Sequence, residues 1–113
     1  MHFPYLDYGL DCVFMIPYDD KSEHEASMIG GRGKDPLKFR DPSGLWVDDV
    51  GNVLVVDSRN HRLQVVDVSK NIFLGFVKTE PALARPSDVY IDKKKRDLYV
   101  TNKLSKTVIR YSF

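Results

Sequence analysis

An internal repeat with a period of 44 residues constrains this sequence more than any other feature. The segment PSGLWVDDVGNVLVVDSRNHRLQVVD, residues 42–67, has a second copy that begins at Pro86. A shift of 44 aligns the Pro-Ser pairs of the two copies and places Trp46 on Tyr90. Periods of 20–50 residues are typical of solenoids and propellers, in which each unit buries its apolar faces against its neighbours. The repeat therefore predicts an architecture of stacked units.

The same alignment predicts how many units the chain contains. It places residues 54–56 on residues 98–100, and one extra residue near Thr107 then changes the shift to 45. A weaker copy precedes the middle one, where a shift of 50 aligns residues 6–7 with residues 56–57. We therefore expect the chain to begin within a unit and to contain about two and a half repeats.

Each unit is predicted to contain four short antiparallel strands, rich in Val, Leu, Tyr and Phe and separated by turn residues. In the middle unit the strands are residues 44–48, 53–57, 62–67 and 72–78. Runs such as LVV and IFLGF are almost continuously apolar, which favours strands buried on both faces. A sheet is buried in this way when it is stacked between two like sheets, as propeller blades are. The sequence thus predicts an all-β fold made of β-propeller blades of four antiparallel strands.

The predicted units divide the chain into three segments. Residues 1–30 form the second half of a preceding blade, residues 31–80 a complete blade, and residues 81–113 the first three strands of the next blade. Propellers usually close with four to eight blades. We therefore expect the remaining blades to come from a longer chain or from association.

Composition excludes several classes of protein. The 113 residues are 42% hydrophobic and 29% charged, as in one soluble globular domain. The sequence contains neither a secretory signal nor the roughly 20 apolar residues of a membrane span. Cys12 is the only cysteine and is expected to be a small buried thiol, and the three histidines are scattered. We expect a cytoplasmic protein without a disulfide, a metal site, a cofactor or a membrane partner.

A set of glycines, turn residues and apolar residues recurs around and within the middle unit. These residues are Gly30, Gly31, Gly33, Phe39, Pro42 to Leu45, Asp48, Gly51, Asn52, Asp57, Ser58 and Asn60 to Val65. This pattern resembles that of the NHL-repeat family, which includes tripartite-motif and RING-NHL proteins. The resemblance covers residues 27–113 and is strongest in the middle unit. The third unit departs from it, with Thr101, Leu104 and Ser105 where the alignment places Asp57, Asn60 and His61.

The resemblance implies a binding module with no catalysis of its own. In the family such propellers often select a protein partner or ubiquitination substrate for a parent ubiquitin ligase, whose other domains this sequence lacks. An alternative is the binding of single-stranded RNA, which several tripartite-motif proteins perform on this kind of surface. A more distant alternative is a fragment of an enzyme related to peptide-amidating lyases. Those enzymes bind a metal through several histidines, and this sequence offers His61.

Alternation of the strands predicts a positively charged edge of the stack. The loop at 30–42 and the turns at 58–61 and 101–106 lie on one edge, the first rim, while the turns at 49–52 and 93–96 lie on the opposite edge, the second rim. Charged rims can bind RNA phosphates or a protein partner. The acidic residues Asp35 and Asp41 lie on the same rim but are outnumbered, so the rim is expected to be positive. The predicted binding residues of the first rim are Arg32, Lys34, Lys38, Arg40, Arg59, His61 and Lys103.

Other polar and aromatic residues are predicted to have structural roles. Asp57 closes a strand, so its carboxylate is expected to accept bonds from amides of the following turn, with Asn60 in that turn and Arg62 as an ion-pair partner. The basic run at residues 93–96 is interpreted as a solvated hairpin turn. Trp46 and Tyr90, at equivalent strand positions, are expected to pack between blades.

Overall fold

The computed structural model describes residues 2–7, 9–17, 27–48, 50–68 and 70–113, and it is nearly all β. The strands form three antiparallel sheets in which each strand is hydrogen-bonded to the next one along the chain. The first sheet contains β1 (His2–Asp7), β2 (Cys12–Pro17) and β3 (Ser27–Gly30). The second contains β4 (Pro42–Val47), β5 (Asn52–Asp57), β6 (Arg62–Asp67) and β7 (Ile72–Phe76). The third contains β8 (Pro86–Asp92), β9 (Asp97–Asn102) and β10 (Thr107–Ser112).

The predicted all-β fold is confirmed, and the sheets are consistent with an incomplete propeller-like arrangement. The four strands predicted for the second sheet are present, with bounds that differ by two residues at most. β4 begins earlier than predicted because Pro42 pairs with Asp57 ahead of a bulge between Pro42 and Gly44. Proline is tolerated there because the first residue of a strand need not donate a ladder hydrogen bond.

β5 of the second sheet is buried on both faces, as the run LVV predicted. The same expectation was wrong for the run IFLGF, because β7 is the last strand of this sheet and its Ile72, Leu74 and Phe76 side chains are exposed. Alternate side chains of β5 enter two different clusters: Leu54 and Val56 pack toward the third sheet, and Val53 and Val55 pack toward the first. All four are less than 9% exposed. Since each buried aliphatic side chain stabilises the fold by roughly 1.5–3 kcal/mol, stacking on both sides is the main source of stability of this sheet.

β4 of the second sheet and β8 of the third sheet approach each other closely. A Cβ atom on Gly44 would lie 2.9 Å from Asp88 Oδ1 and 3.2 Å from the carbonyl oxygen of Ser87. Further along, the rings of Trp46 and Tyr90 meet edge to face with centroids 5.3 Å apart. The expectation that these two aromatic residues pack between sheets is confirmed, although Tyr90 remains 58% exposed.

The strand pairing corrects the alignment of the repeats. Val55 pairs with Leu45 in the second sheet, and Val100 pairs with Val89 in the third. Leu45 and Val89 are equivalent, so the counterpart of Val55 is Val100, and the alignment of Val55 with Tyr99 was wrong. The extra residue lies in the turn at 93–96, since five residues separate the equivalents of Val47 and Asn52 where the second sheet has four.

This correction also changes the counterparts of the Asn-His turn. Asp57 corresponds to Asn102, and Asn60 and His61 correspond to Ser105 and Lys106. Backbone geometry supports the new register, because His61 and Lys106 have φ angles of 57° and 53°. The third sheet therefore keeps the shape of the turn, but it has neutral residues in place of Asp57, Arg59 and Arg62 and lysines in place of Ser58 and His61.

Two further expectations concern Cys12 and membrane association. The Cys12 side chain is fully buried, as expected. Within the described ranges, no helix is long and apolar enough to cross a membrane.

Candidate functional site

Asp57 is the centre of a buried hydrogen-bonded cluster at the first rim. Its Oδ1 accepts a bond of 2.7 Å from the backbone amide of Arg40. Its Oδ2 accepts bonds from Arg62 Nε at 2.7 Å, Asn60 Nδ2 at 3.0 Å and Gln64 Nε2 at 3.1 Å. Because the carboxylate is fully buried, four donors compensate the cost of removing it from water.

The donors in this cluster differ in part from those expected. The Arg62 partner is present, but the carboxylate makes no capping bond to the amides of the turn Ser58–Asn60 that follows it. The Asp57 carboxylate is instead bonded to the loop at residues 31–41, which precedes β4 in the sequence. The expectation of a local cap was wrong because a nonlocal amide, that of Arg40, occupies the carboxylate.

The cluster fixes the loop at residues 31–41 on the second sheet. Arg62 Nη2 donates to the carbonyl oxygen of Lys38 at 3.2 Å, and Gln64 Nε2 donates to the same oxygen at 2.7 Å. The amide of Leu37 in turn donates to Gln64 Oε1 at 3.1 Å. The loop that contains most of the predicted cations is therefore held in one conformation by side chains of β6.

Close packing at the start of this loop requires glycine. Gly30 has a φ angle of 114°, and a Cβ atom there would lie 2.6 Å from the ring of Phe39, which is fully buried. No L side chain fits such a space without moving the ring. Gly30 therefore allows the loop to fold over Phe39 at the junction of the first two sheets.

Three of the predicted binding residues line one polar pocket between the first and second sheets. Arg32, Arg40 and Arg59 surround an open cavity of about 290 Å³ together with Gly9, Asp11 and Asp41. Two ion pairs cross it: Arg59 Nε lies 3.4 Å from Asp41 Oδ2, and Arg32 Nε lies 3.9 Å from Asp11 Oδ2. We call this cavity the arginine pocket.

His61 and Lys103 lie further along the same rim, at the junction with the third sheet. The ring Nδ1 of His61 accepts a bond of 2.9 Å from the amide of Arg85. The amide of Lys103 donates to the carbonyl oxygen of Arg85 at 3.1 Å. Arg85 also lies 3.9 Å from Asp41, so it connects these two residues with the arginine pocket.

The two remaining predicted binding residues, Lys34 and Lys38, are exposed on the loop at residues 31–41. Lys38 Nζ donates to the carbonyl oxygen of Gly30 at 3.2 Å, so its side chain lies along the loop. The seven predicted residues thus share one rim, but the arginine pocket contains three of them.

The basic run at residues 93–96 lies in the turn between β8 and β9, on the second rim, as expected. Its four side chains are exposed. Asp92 Oδ1 accepts a bond of 3.2 Å from the amide of Lys95, which closes the turn. Asp48 closes the corresponding turn of the second sheet, where its Oδ1 accepts bonds from Val50 and Asn52.

A second cavity opens between the second and third sheets near the second rim. It has a volume of about 450 Å³ and mainly apolar walls that include Trp46, Leu54 and Tyr111. Burial raises the pKa of the Tyr111 phenol above its ordinary value of 10.0. Its hydroxyl group donates to the carbonyl oxygen of Pro81 at 2.7 Å, which fastens the loop before β8.

Sequence reasoning missed three polar residues of the first rim. Asp11 accepts the amide of Asp41 across a separation of 30 residues, and no local pattern indicates such a contact. Gln64 is a fully buried polar residue within an apolar strand, which is itself a signal of a structural role. Arg85 aligns with Asp41 under the shift of 44, and this replacement of an acidic residue by a basic one is a signal in the sequence that could have identified Arg85 as a rim residue.

The donor set does not point to a metal centre. Among the described residues, no group of three or more His, Cys, Asp and Glu side chains could hold a metal ion. What the rim offers is a set of guanidinium and ammonium groups on a fixed loop. Such groups can bind anionic side chains or phosphates.

Three stacked antiparallel sheets with a cationic rim define a propeller-like β protein. A family model described as the NHL repeat matches residues 39–66, which run from Phe39 through most of β6. NHL repeats generally mediate protein–protein interactions. The matched segment includes Arg40, Arg59 and the Asp57 cluster. A comparison with curated proteins returned no match.

Proposed function

We propose that this chain is a protein-interaction module made of NHL-type propeller blades, which binds a partner protein through its first rim and has no catalysis of its own. The observation that supports this most directly is the set of cations on a loop fixed by the Asp57 cluster. The loop at residues 31–41 and the turns at 58–61 and 101–106 contribute cations to this rim, and the guanidinium groups of Arg32, Arg40 and Arg59 share one cavity. A surface fixed in this way binds with little loss of conformational entropy.

The test uses a partner captured by the immobilised chain, identified by mass spectrometry and then purified. We expect charge reversal at Lys34, Lys38 and Lys103 to weaken binding of the purified partner by more than about tenfold, because charge pairs at interfaces stabilise complexes. The matched control reverses three lysines of the second rim, Lys93 to Lys95, and should leave the affinity nearly unchanged. Equal losses from the two sets would overturn the assignment to the first rim.

Single-stranded RNA is a second candidate ligand, favoured by the same cations. RNA binding would weaken steeply with salt, because each neutralised phosphate releases counterions. The rim offers limited stacking: Phe76 is exposed at its outer edge, but the Arg62 guanidinium lies 4.4 Å from the ring centroid. Titration with labelled single-stranded RNA at several salt concentrations separates the candidates, since a protein-binding rim predicts no saturable RNA complex at physiological salt.

The three segments 1–30, 31–80 and 81–113 would each supply one blade, complete or partial. We propose that further blades close the propeller, from a longer cytoplasmic chain or by association. A longer parent of the tripartite-motif or RING-NHL type would be a ubiquitin ligase, and this rim would then select its substrate. Coding sequence with paired Cys-x-x-Cys motifs upstream of Met1 would support that parent, whereas an upstream reading frame without them would count against it.

A further inference from the structure

We propose that the arginine pocket is a carboxylate-binding subsite that takes one Asp or Glu side chain of the partner protein. This inference rests on the proposed function, because it specifies the chemistry by which the first rim recognises a protein. The pocket lies at the junction of the first two sheets and is lined by Gly9, Asp11, Arg32, Arg40, Asp41 and Arg59.

The charges of the pocket leave one cation unneutralised. Three guanidinium groups face the two carboxylates of Asp11 and Asp41. Arg59 is paired with Asp41 at 3.4 Å, whereas the Arg32–Asp11 distance of 3.9 Å is longer than a hydrogen bond. The Asp11 carboxylate is further occupied by the amide of Asp41, at 2.7 Å. A single monovalent anion would balance the residues of the lining, and Arg85, which lies 3.9 Å from Asp41 but outside the lining, adds a further positive charge.

Arg40 is the guanidinium group of the pocket lining that forms no ion pair within the described part of the chain. Its Nε is shielded from solvent and has no hydrogen-bond partner, and the same is true of Arg85 Nε outside the lining. A carboxylate that enters the pocket would neutralise the charge of the Arg40 guanidinium group, and it matches such a group in planar, two-bond geometry.

The backbone holds Arg40 in place from both neighbouring sheets. The amide of Arg40 is bound by Asp57 of the second sheet, and the next amide, that of Asp41, is bound by Asp11 of the first. The carbonyl oxygen of Arg40 accepts the amide of Arg59 at 3.0 Å. The pocket is therefore positioned before a ligand arrives, which reduces the cost of ordering it.

Two features favour a side-chain carboxylate over the backbone of RNA. The carboxylates of Asp11 and Asp41 line the pocket and would repel a chain of phosphates, while one anion can be accommodated by Arg40. The volume of about 290 Å³ is also at the lower end of the range for small-molecule sites. It suits one acidic side chain better than a nucleotide.

The test measures binding of a small probe to the full chain by NMR. The probe is N-acetyl-glutamate N-methylamide, whose only charge is the side-chain carboxylate, and the neutral control probe is the glutamine analogue. We expect saturable shifts at the amides of Arg40, Asp41 and Arg59, with at least about tenfold weaker binding of the neutral probe, because a hydrogen bond to a charged group contributes about 1.5–3 kcal/mol. Equal binding of the two probes would overturn the proposal.

Variants assign the binding to the pocket. Arg40→Gln and Arg59→Gln are each expected to weaken binding of the glutamate probe by at least about fivefold, since each removes one charged donor. Arg110→Gln, at an exposed position of β10, removes the same charge elsewhere and should have no effect. Arg40→Lys keeps the charge without the planar pair and should bind at an intermediate level, which keeps the test valid if Arg40→Gln unfolds. Unchanged binding by both Arg40 variants would refute the assignment.

Two further measurements separate this inference from the proposed function and from RNA binding. If inorganic phosphate or single-stranded RNA displaces the glutamate probe and binds more tightly than it, the pocket is a phosphate site and the carboxylate proposal fails. If the purified partner binds through the first rim but Arg40→Gln leaves its affinity unchanged, the protein-binding function stands and the subsite is wrong. If Arg40→Gln weakens binding of both the glutamate probe and the partner, the result supports the protein-binding function and the carboxylate subsite.

Discussion

Replacement of the buried Asp57 by asparagine tests the central cluster of the first rim. The asparagine side chain keeps one carbonyl oxygen, which can still accept a hydrogen bond from the backbone amide of Arg40. In place of the second oxygen it presents an amide NH2 group to Arg62, Asn60 and Gln64. All three donate to the same oxygen in the native structure. The variant would therefore place donors against a donor in a site that excludes water.

The expected cost is dominated by the ion pair. Arg62 Nε lies 2.7 Å from Asp57 Oδ2, and the side chains are 20% and 0% exposed. Removing one member of a buried pair costs about 3–5 kcal/mol. The other two donors each retain a second acceptor, the carbonyl oxygens of Gly33 and Lys38, so they add little. We expect Asp57→Asn to destabilise the protein by about 3–5 kcal/mol.

Equilibrium denaturation with urea, followed by circular dichroism, measures this loss as a change in midpoint at constant slope. The matched control is Asp35→Asn on the exposed part of the same loop, where we expect a change within about 0.5 kcal/mol. A loss of less than about 1 kcal/mol in Asp57→Asn would show that the cluster does not stabilise the fold as the hydrogen bonds indicate.

The third sheet suggests a rescue. It has Asn102 and Thr107 at the positions of Asp57 and Arg62, and Asn102 Oδ1 accepts the amide of Ala84 at 2.8 Å. The double variant Asp57→Asn, Arg62→Thr should lose less than the sum of the single variants, by about 1–3 kcal/mol, because it removes the unpaired guanidinium group as well. Additive losses would refute the view that the charged pair acts as a unit.

Three other perturbations test separate features. Because burial raises the pKa of Tyr111, the native state holds the phenolic proton more tightly than the unfolded state; the stabilisation is complete below about pH 10 and is lost as pH rises through the folded pKa. Urea midpoints should thus fall more steeply above that pH in the native protein than in Tyr111→Phe, which costs about 1 kcal/mol at neutral pH through the lost bond to Pro81, and parallel profiles would contradict this. Gly30→Ala should lower the free energy of unfolding by about 1–3 kcal/mol more than Gly51→Ala does, because both glycines have a positive φ but only a Cβ atom at Gly30 would clash with Phe39. Equal urea midpoints for the two variants would show that the Phe39 ring can move aside at little cost. If the proposed further blades normally cover the outer sheets, the isolated chain should self-associate or aggregate in size-exclusion chromatography, and a stable, folded monomer would count heavily against those blades.

The repeat made the fold predictable, because apolar strands at a fixed period leave few ways to bury both faces. Short strands were harder to predict. For residues 1–30 the repeat predicted the second half of a blade without the bounds of its strands, and β3, whose four residues contain one buried side chain, was not identified. The register of the third sheet was also misplaced, because a turn can absorb an extra residue without changing the apolar pattern of the strand after it.

The rim was predictable from strand alternation, but the grouping of its side chains was not. The arginine pocket depends on Asp11, which reaches Asp41 from the preceding sheet. Contacts of this kind depend on how two sheets stack, and a sequence pattern describes only one sheet at a time. For the same reason the pattern placed His61 among the binding residues without indicating its bond to Arg85.

The stability of the fold and the proposed binding at the arginine pocket are coupled through two consecutive amides. Asp57 binds the amide of Arg40 from one sheet, and Asp11 binds that of Asp41 from another, so the pocket keeps its shape only while the two sheets remain stacked. Val13 and Val55 belong to the apolar cluster that holds these sheets together. A cavity-forming change in that cluster should therefore weaken ligand binding at the rim without touching any charged residue, and binding should fall before the fold is lost.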